Sequence, residues 1–267
     1  MNTEKRPLNI FQLLGPGLLF AGAAVGVSHL VLSTKAGASY GFGLFWLVIL
    51  ANLMKYPFFE YGPRYAMATG ESLLEGYKRM GTWVLGIFIA VSLGTMFTVQ
   101  AAVTIVTAGL AAHMFGLSIS ITAWVVIILI ICASILLIGK YAVLDNMIKV
   151  IVISLTIITI IAVVLAAVYY QPKQMTLSWN QHLSFDATAL GFYVIFTGWM
   201  PAPLDLSVWH SLWTLEKRKS AKGAYSLSKS YFDFNIGYIG TTFLAIIFLS
   251  LGALVMYGSG EVFSDKG

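Results

Sequence analysis

The stretch Gly198-Trp199-Met200-Pro201-Ala202-Pro203-Leu204-Asp205 decides how the chain is read. It lies in an apolar run over about residues 187–213, long enough to cross a bilayer. A proline inside a helix removes a main-chain donor and clashes with the carbonyl one turn back, at a cost of roughly 3 kcal/mol or more. Two prolines at i and i+2 are therefore expected to break this helix rather than bend it. Broken backbone at membrane depth survives only where protein buries it or water lines it. Secondary transporters put their substrates at such breaks.

The rest of the chain fits that setting. Of its 267 residues, 58% are hydrophobic and 10% charged, with a mean hydropathy of +0.84. A soluble domain carries about 25% charged residues. The chain is expected to be an all-α polytopic membrane protein with about seven spans, near residues 11–36, 42–61, 83–114, 119–139, 147–170, 187–213 and 231–257. No span alternates in the manner of a barrel strand. The single cysteine, Cys132, leaves the redox compartment open.

Charge placement sets the orientation. With the N-terminus inside, Lys5, Arg6, Arg64, Lys78, Arg79, Lys140, Lys217, Arg218, Lys219, Lys222 and Lys229 all fall on the cytoplasmic side. Lys35, Lys173 and Lys266 fall outside. The net charge of +5 thus reflects topology in a cell membrane, and no nucleic-acid partner is expected. The run 217–222 reads as a topology anchor. Residues 62–81 read as a cytoplasmic helix or turn that Thr69 or Ser72 caps.

Several polar groups fall at membrane depth. In the first span, Gly22 and Gly26 suit close helix contact, and Ser28 and His29 sit near mid-span. An ionisable residue there is a functional candidate, or else a histidine hydrogen-bonded to a neighbouring helix. At the sixth-span break, Met200 sets a thioether beside carbonyls freed by Pro201 and Pro203. Asp205 must pair, bind a cation or carry a proton. His210 follows nearer the cytoplasmic end. Gln100 in the third span either lines a cavity or joins helices. Lys55 is expected to snorkel towards the cytoplasm. Asp233 is expected at the start of the seventh helix, where an acid suits the helix dipole. There is no metal-hydrolase pattern, phosphate loop or nucleophile elbow, so neither an enzyme nor a bound cofactor is expected.

In order, Gly15-Pro16-Gly17, Ala68-Thr69-Gly70 with Leu74-Glu75, the segment 139–144, and Gly198 with Met200-Pro201 resemble the NRAMP family of divalent-metal transporters over nearly the whole chain. The resemblance implies a LeuT-type fold of two inverted repeats with broken first and sixth helices. It also implies a substrate site between the breaks and proton-coupled uptake of manganese- or iron-like ions. The family's Asp-Pro-Gly-Asn is replaced here by Gly26-Val27-Ser28-His29, and its Met-Pro-His by Met200-Pro201-Ala202. Where the family has acids in the third span, this chain has Gln100 and Val103.

The expected binding residues are then Gly26, Ser28, His29, Met200, Pro201, Ala202 and Asp205, with His29, Met200 and Asp205 as metal ligands. Gln100 and His210 are candidates for a proton pathway. The lost aspartate also fits a transporter of a non-metal solute, or an inactive homologue. About seven spans make one repeat and two helices of the next, so residues 1–267 are expected to form one transmembrane domain, incomplete at its C-terminus.

Overall fold

The computed structural model describes residues 13–139, 141–169, 183–221 and 224–258, and every regular element among them is helical. In chain order these are α1 (Pro16–Ala24), the π-helical segment Val27–Ser33, α2 (Thr34–Tyr40), α3 (Phe45–Thr69), α4 (Leu73–Met80), α5 (Thr82–Phe115) and α6 (Ile121–Ile138). Then follow α7 (Tyr141–Tyr169), α8 (Ala187–Trp199), α9 (Leu206–Ser220) and α10 (Leu227–Val255). Each of the seven expected spans carries helix, so the all-α polytopic reading holds. Four helices are long and apolar enough to cross a membrane, and α1 with the helix that follows adds a bent fifth.

Local chemistry explains the ends. Ser120, Asp186 and Ser226 cap α6, α8 and α10 by accepting from the main-chain N–H of Ala123, Ala189 and Lys229. The Ser184 hydroxyl and the Ala189 N–H hold the Asp186 carboxyl below its usual range. At α4 the cap is Ser72: its N–H and hydroxyl donate to Glu75 Oε2 at 2.6 and 3.1 Å, and its Oγ accepts from the Glu75 N–H. This is a capping box. Gly70, at φ 78°, ends α3 in the left-handed region that glycine enters without a Cβ penalty.

One boundary differs from expectation. The second span does not stop near residue 61. It runs through Pro57 and Pro63 to Thr69 as one helix. Prolines six residues apart each remove one hydrogen bond and leave an intact turn between them. Pro201 and Pro203 leave none, and each also drives its preceding residue out of the helical region. There the helix breaks.

The chain divides into two compact units, the described residues of 1–75 with 147–263, and those of 76–146. In the second unit α5 packs on α6, with Phe115 stacked on Trp124. In the first, α10 packs against α1, α2 and α3. Close backbone approach makes this possible. A Cβ on Gly17 or Gly237 would fall on the main chain of the other helix, at Asp233 and at Gly17 itself. A Cβ on Gly37 would strike the Leu249 carbonyl, and one on Gly252 the Thr34 carbonyl. These are small-residue contacts of the membrane kind. Of the two glycines expected to allow close helix contact, Gly22 does and Gly26 does not. A Cβ on Gly22 would meet the side chain of Ile148, and one on Gly26 no described atom within 4 Å.

Candidate functional site

Two breaks adjoin in the first unit. Span one leaves the helix at Val25 (φ −80°, ψ 82°) and Gly26 (φ −138°, ψ −128°) and resumes as the π-helical segment, bent by 40°. Span six leaves it at Met200 (φ −84°, ψ 138°), with a cis Met200–Pro201 bond, and resumes at Leu206. Ala24 beside the first break and Ala202 within the second share one buried cluster with Phe20, Phe59 and Phe234. The expectation of broken helices one and six holds.

The first break satisfies its own main chain. Ala21 O accepts from Val25 N–H, and Gly26 O accepts from the N–H groups of His29 and Leu30. Ser28 Oγ lies 2.8 Å from the Ala24 carbonyl and 2.7 Å from His29 Nδ1. His29 is fully buried, and its Nε2 sits 3.0 Å from the Thr241 carbonyl on α10. A carbonyl only accepts, so Nε2 carries the proton and Nδ1 faces the Ser28 hydroxyl. Nδ1 then shares the single Ser28 hydroxyl proton with the Ala24 carbonyl, and a metal at Nδ1 would have to displace Ser28.

The second break is satisfied from a distance. Lys55 on α3 donates from Nζ to the carbonyls of Thr197 (2.7 Å), Gly198 (2.9 Å) and Met200 (2.6 Å). It does not snorkel. An ammonium has three donors, and here three carbonyls meet them. It also sits at the negative end of the α8 dipole. The sequence signal was present, an ionisable residue inside an apolar span, but its partners lie 142 to 145 residues away.

The remaining expected site residues are distributed as follows. Met200 is fully buried and its cluster is apolar, with Ala36, Leu44, Val48, Phe196 and Leu249. Pro201 is buried beside it. Asp205 starts α9 with its carbonyl, and its Oδ2 accepts from Trp209 Nε1 at 3.3 Å, where Trp209 is exposed. His210 lies in the core. It is buried against Phe20 and Phe234, and neither ring nitrogen has a hydrogen-bond partner among the described residues. Gln100 lies in the other unit and donates to Thr104 Oγ1 at 2.9 Å. Among the described residues, no three His, Cys, Asp or Glu side chains gather as a metal-holding group.

Asp233 also departs from expectation. It is wholly buried in the second turn of α10 and caps a different helix. Its carboxylate accepts from the N–H groups of Gly15 and Gly17 at 3.0 Å and from the Tyr225 hydroxyl at 2.8 Å. Lys217 belongs to this corner rather than to a solvated basic run. It is buried, and a Cβ on Gly15 would lie 3.0 Å from its Nζ.

Two interrupted spans that meet at their breaks are the arrangement on which broken-helix transporters are built. The family model described as natural resistance-associated macrophage protein-like (Nramp) matches residues 17–265, and the chain belongs to that family. It is 41% identical over 252 residues to an uncharacterized protein of Pasteurella multocida, covering 94% of this chain and 58% of that relative's length. Shorter similarities link it to proteins named divalent metal cation transporter MntH. One, from Yersinia pestis, is 31% identical over 77 residues, 28% of this chain and 19% of the relative. Another, from Erwinia tasmaniensis, is 34% identical over 65 residues, 24% of this chain and 16% of the relative.

Proposed function

We propose that this chain is part of a secondary transporter that carries a divalent cation, manganese- or iron-like, through the meeting point of the two breaks. The observation that carries the reading is the ring of carbonyls from Thr197, Gly198 and Met200, which already holds one cation, the Lys55 ammonium. Family membership and the relatives named for divalent metal transport support it. In this reading the passenger takes carbonyl oxygens at the second break, with the Met200 sulfur and the His29 ring recruited by local repacking. Coupling to protons is part of the proposal, and His210 is the group to test. So is a cell-membrane location with the N-terminus cytoplasmic, which rests on the Lys/Arg bias.

The test is manganese uptake by proteoliposomes containing the full-length protein. Accumulation that falls on Met200→Ala supports the reading, and absence of uptake of any divalent cation sinks it. A second reading, a non-metal solute in the same fold, is favoured by one observation. Gly26 brings no carboxylate to the first break, and the space beside it is open. Stabilisation by small organic anions and not by metals in a thermal-shift screen would select this alternative.

A further inference from the structure

We infer that Lys55 is a built-in competitor for the cation seat at the second break: the passenger binds there only when the ammonium is displaced. The inference rests on the reading of the protein as a divalent-cation transporter and adds how the seat is regulated.

Three features support it. First, the seat is well formed. Thr197, Gly198 and Met200 all turn their carbonyls on one point, 2.6 to 2.9 Å from Nζ. Divalent cations take oxygen ligands at about 2.0–2.6 Å, so the same oxygens need to close in by only about half an ångström. Second, the seat can be reached. Lys55 is half-buried, Gly198 is exposed, and a Cβ on Gly198 would meet no described atom within 4 Å. Third, the same helix as Lys55 carries an unsatisfied neutral oxygen. Asn52 stands one turn before Lys55 on α3, and its Oδ1 is buried with no partner among the described residues.

Two cations cannot share three neutral carbonyls, because nothing in the seat offsets their repulsion. The lysine stem is long and flexible, so Nζ can withdraw along α3 without moving the helix. The empty seat is therefore costly in either state, since unpaired carbonyls are disfavoured at membrane depth. One cation replaces the other.

The experiment measures manganese and cadmium binding by calorimetry on the full-length protein in detergent, comparing wild type, Lys55→Met and Lys55→Arg. Lys55→Met keeps the stem and removes the charge; because its thioether is itself a ligand for soft cadmium, the gain is judged on manganese, the harder ion. This variant is expected to bind manganese at least tenfold more tightly than wild type, whereas Lys55→Arg binds no more tightly. Binding by Lys55→Met alone also supports the competitor. Equal or weaker binding by Lys55→Met overturns it and leaves the transport reading standing. No binding by any form overturns both. If Lys55→Met does not fold, the wild-type chain decides. Its Lys55 should be acylated faster by an amine-reactive ester when manganese is present, as read by mass spectrometry. An unchanged rate overturns the inference.

Discussion

The two interrupted spans are held by opposite charges at opposite helix ends. In span one, Asp233 grips the N-terminus of α1 through the N–H groups of Gly15 and Gly17. In span six, Lys55 grips the C-terminus of α8 through three carbonyls. Each charge suits the dipole it faces. The difference lies in exposure. Asp233 is sealed in the core, while Lys55 is half-open. The first clasp therefore fixes structure. The second is accessible to a competitor, and only a half-helix held by a removable group can answer to a ligand.

Substitutions can break this contrast, and their expected effects fall in order. Asp233→Ala removes the partner of two buried main-chain donors and a hydroxyl, and each orphan costs about 1–3 kcal/mol. A total loss of about 3–5 kcal/mol in denaturant unfolding is expected, whether or not metal is present. Gly237→Leu forces a side chain onto the Gly17 backbone, and about 3 kcal/mol is expected. Lys55→Met should cost less, about 2 kcal/mol, because the half-open carbonyls can rehydrate. Manganese should restore that loss and not the loss in Asp233→Ala, as thermal unfolding with and without the ion will show.

Two smaller changes sharpen the comparison. Ser72→Ala opens the capping box of α4 and should cost about 1 kcal/mol while leaving cation binding unchanged. Gly26→Asp meets no steric obstacle, since no described atom lies within 4 Å of a Cβ there, but its carboxylate at membrane depth stays costly until a cation binds. It adds a charged oxygen ligand beside the first break and should tighten manganese binding about tenfold or more by calorimetry. Unchanged affinity would mean that the passenger does not approach Gly26.

Much of the architecture could be read from the sequence because it is encoded locally. Twenty-residue apolar runs and a Pro-x-Pro in one of them suffice for spans and a break. Pro57 and Pro63 show the limit of that logic. The same residue type, differently spaced, sits inside a continuous helix. The charged partnerships were illegible for a different reason. Asp233 looks like an acid at a helix start and Lys55 like a snorkelling base, because both local readings are sound chemistry. Their real partners lie 216 to 218 and 142 to 145 residues away, and only tertiary packing brings them together. His29 was readable as either a ligand or a packed histidine. Its contact with the Thr241 carbonyl depends on a helix 212 residues further on.

The glycine contacts of α10 have a mechanical consequence. Gly237 meets α1 on one side of the first interruption, and Gly252 meets the start of α2 on the other. One continuous helix is thus laid like a splint across the fracture, touching main chain to main chain above and below it. Span one is thereby tied main chain to main chain to α10 on both sides of its break, as one rod.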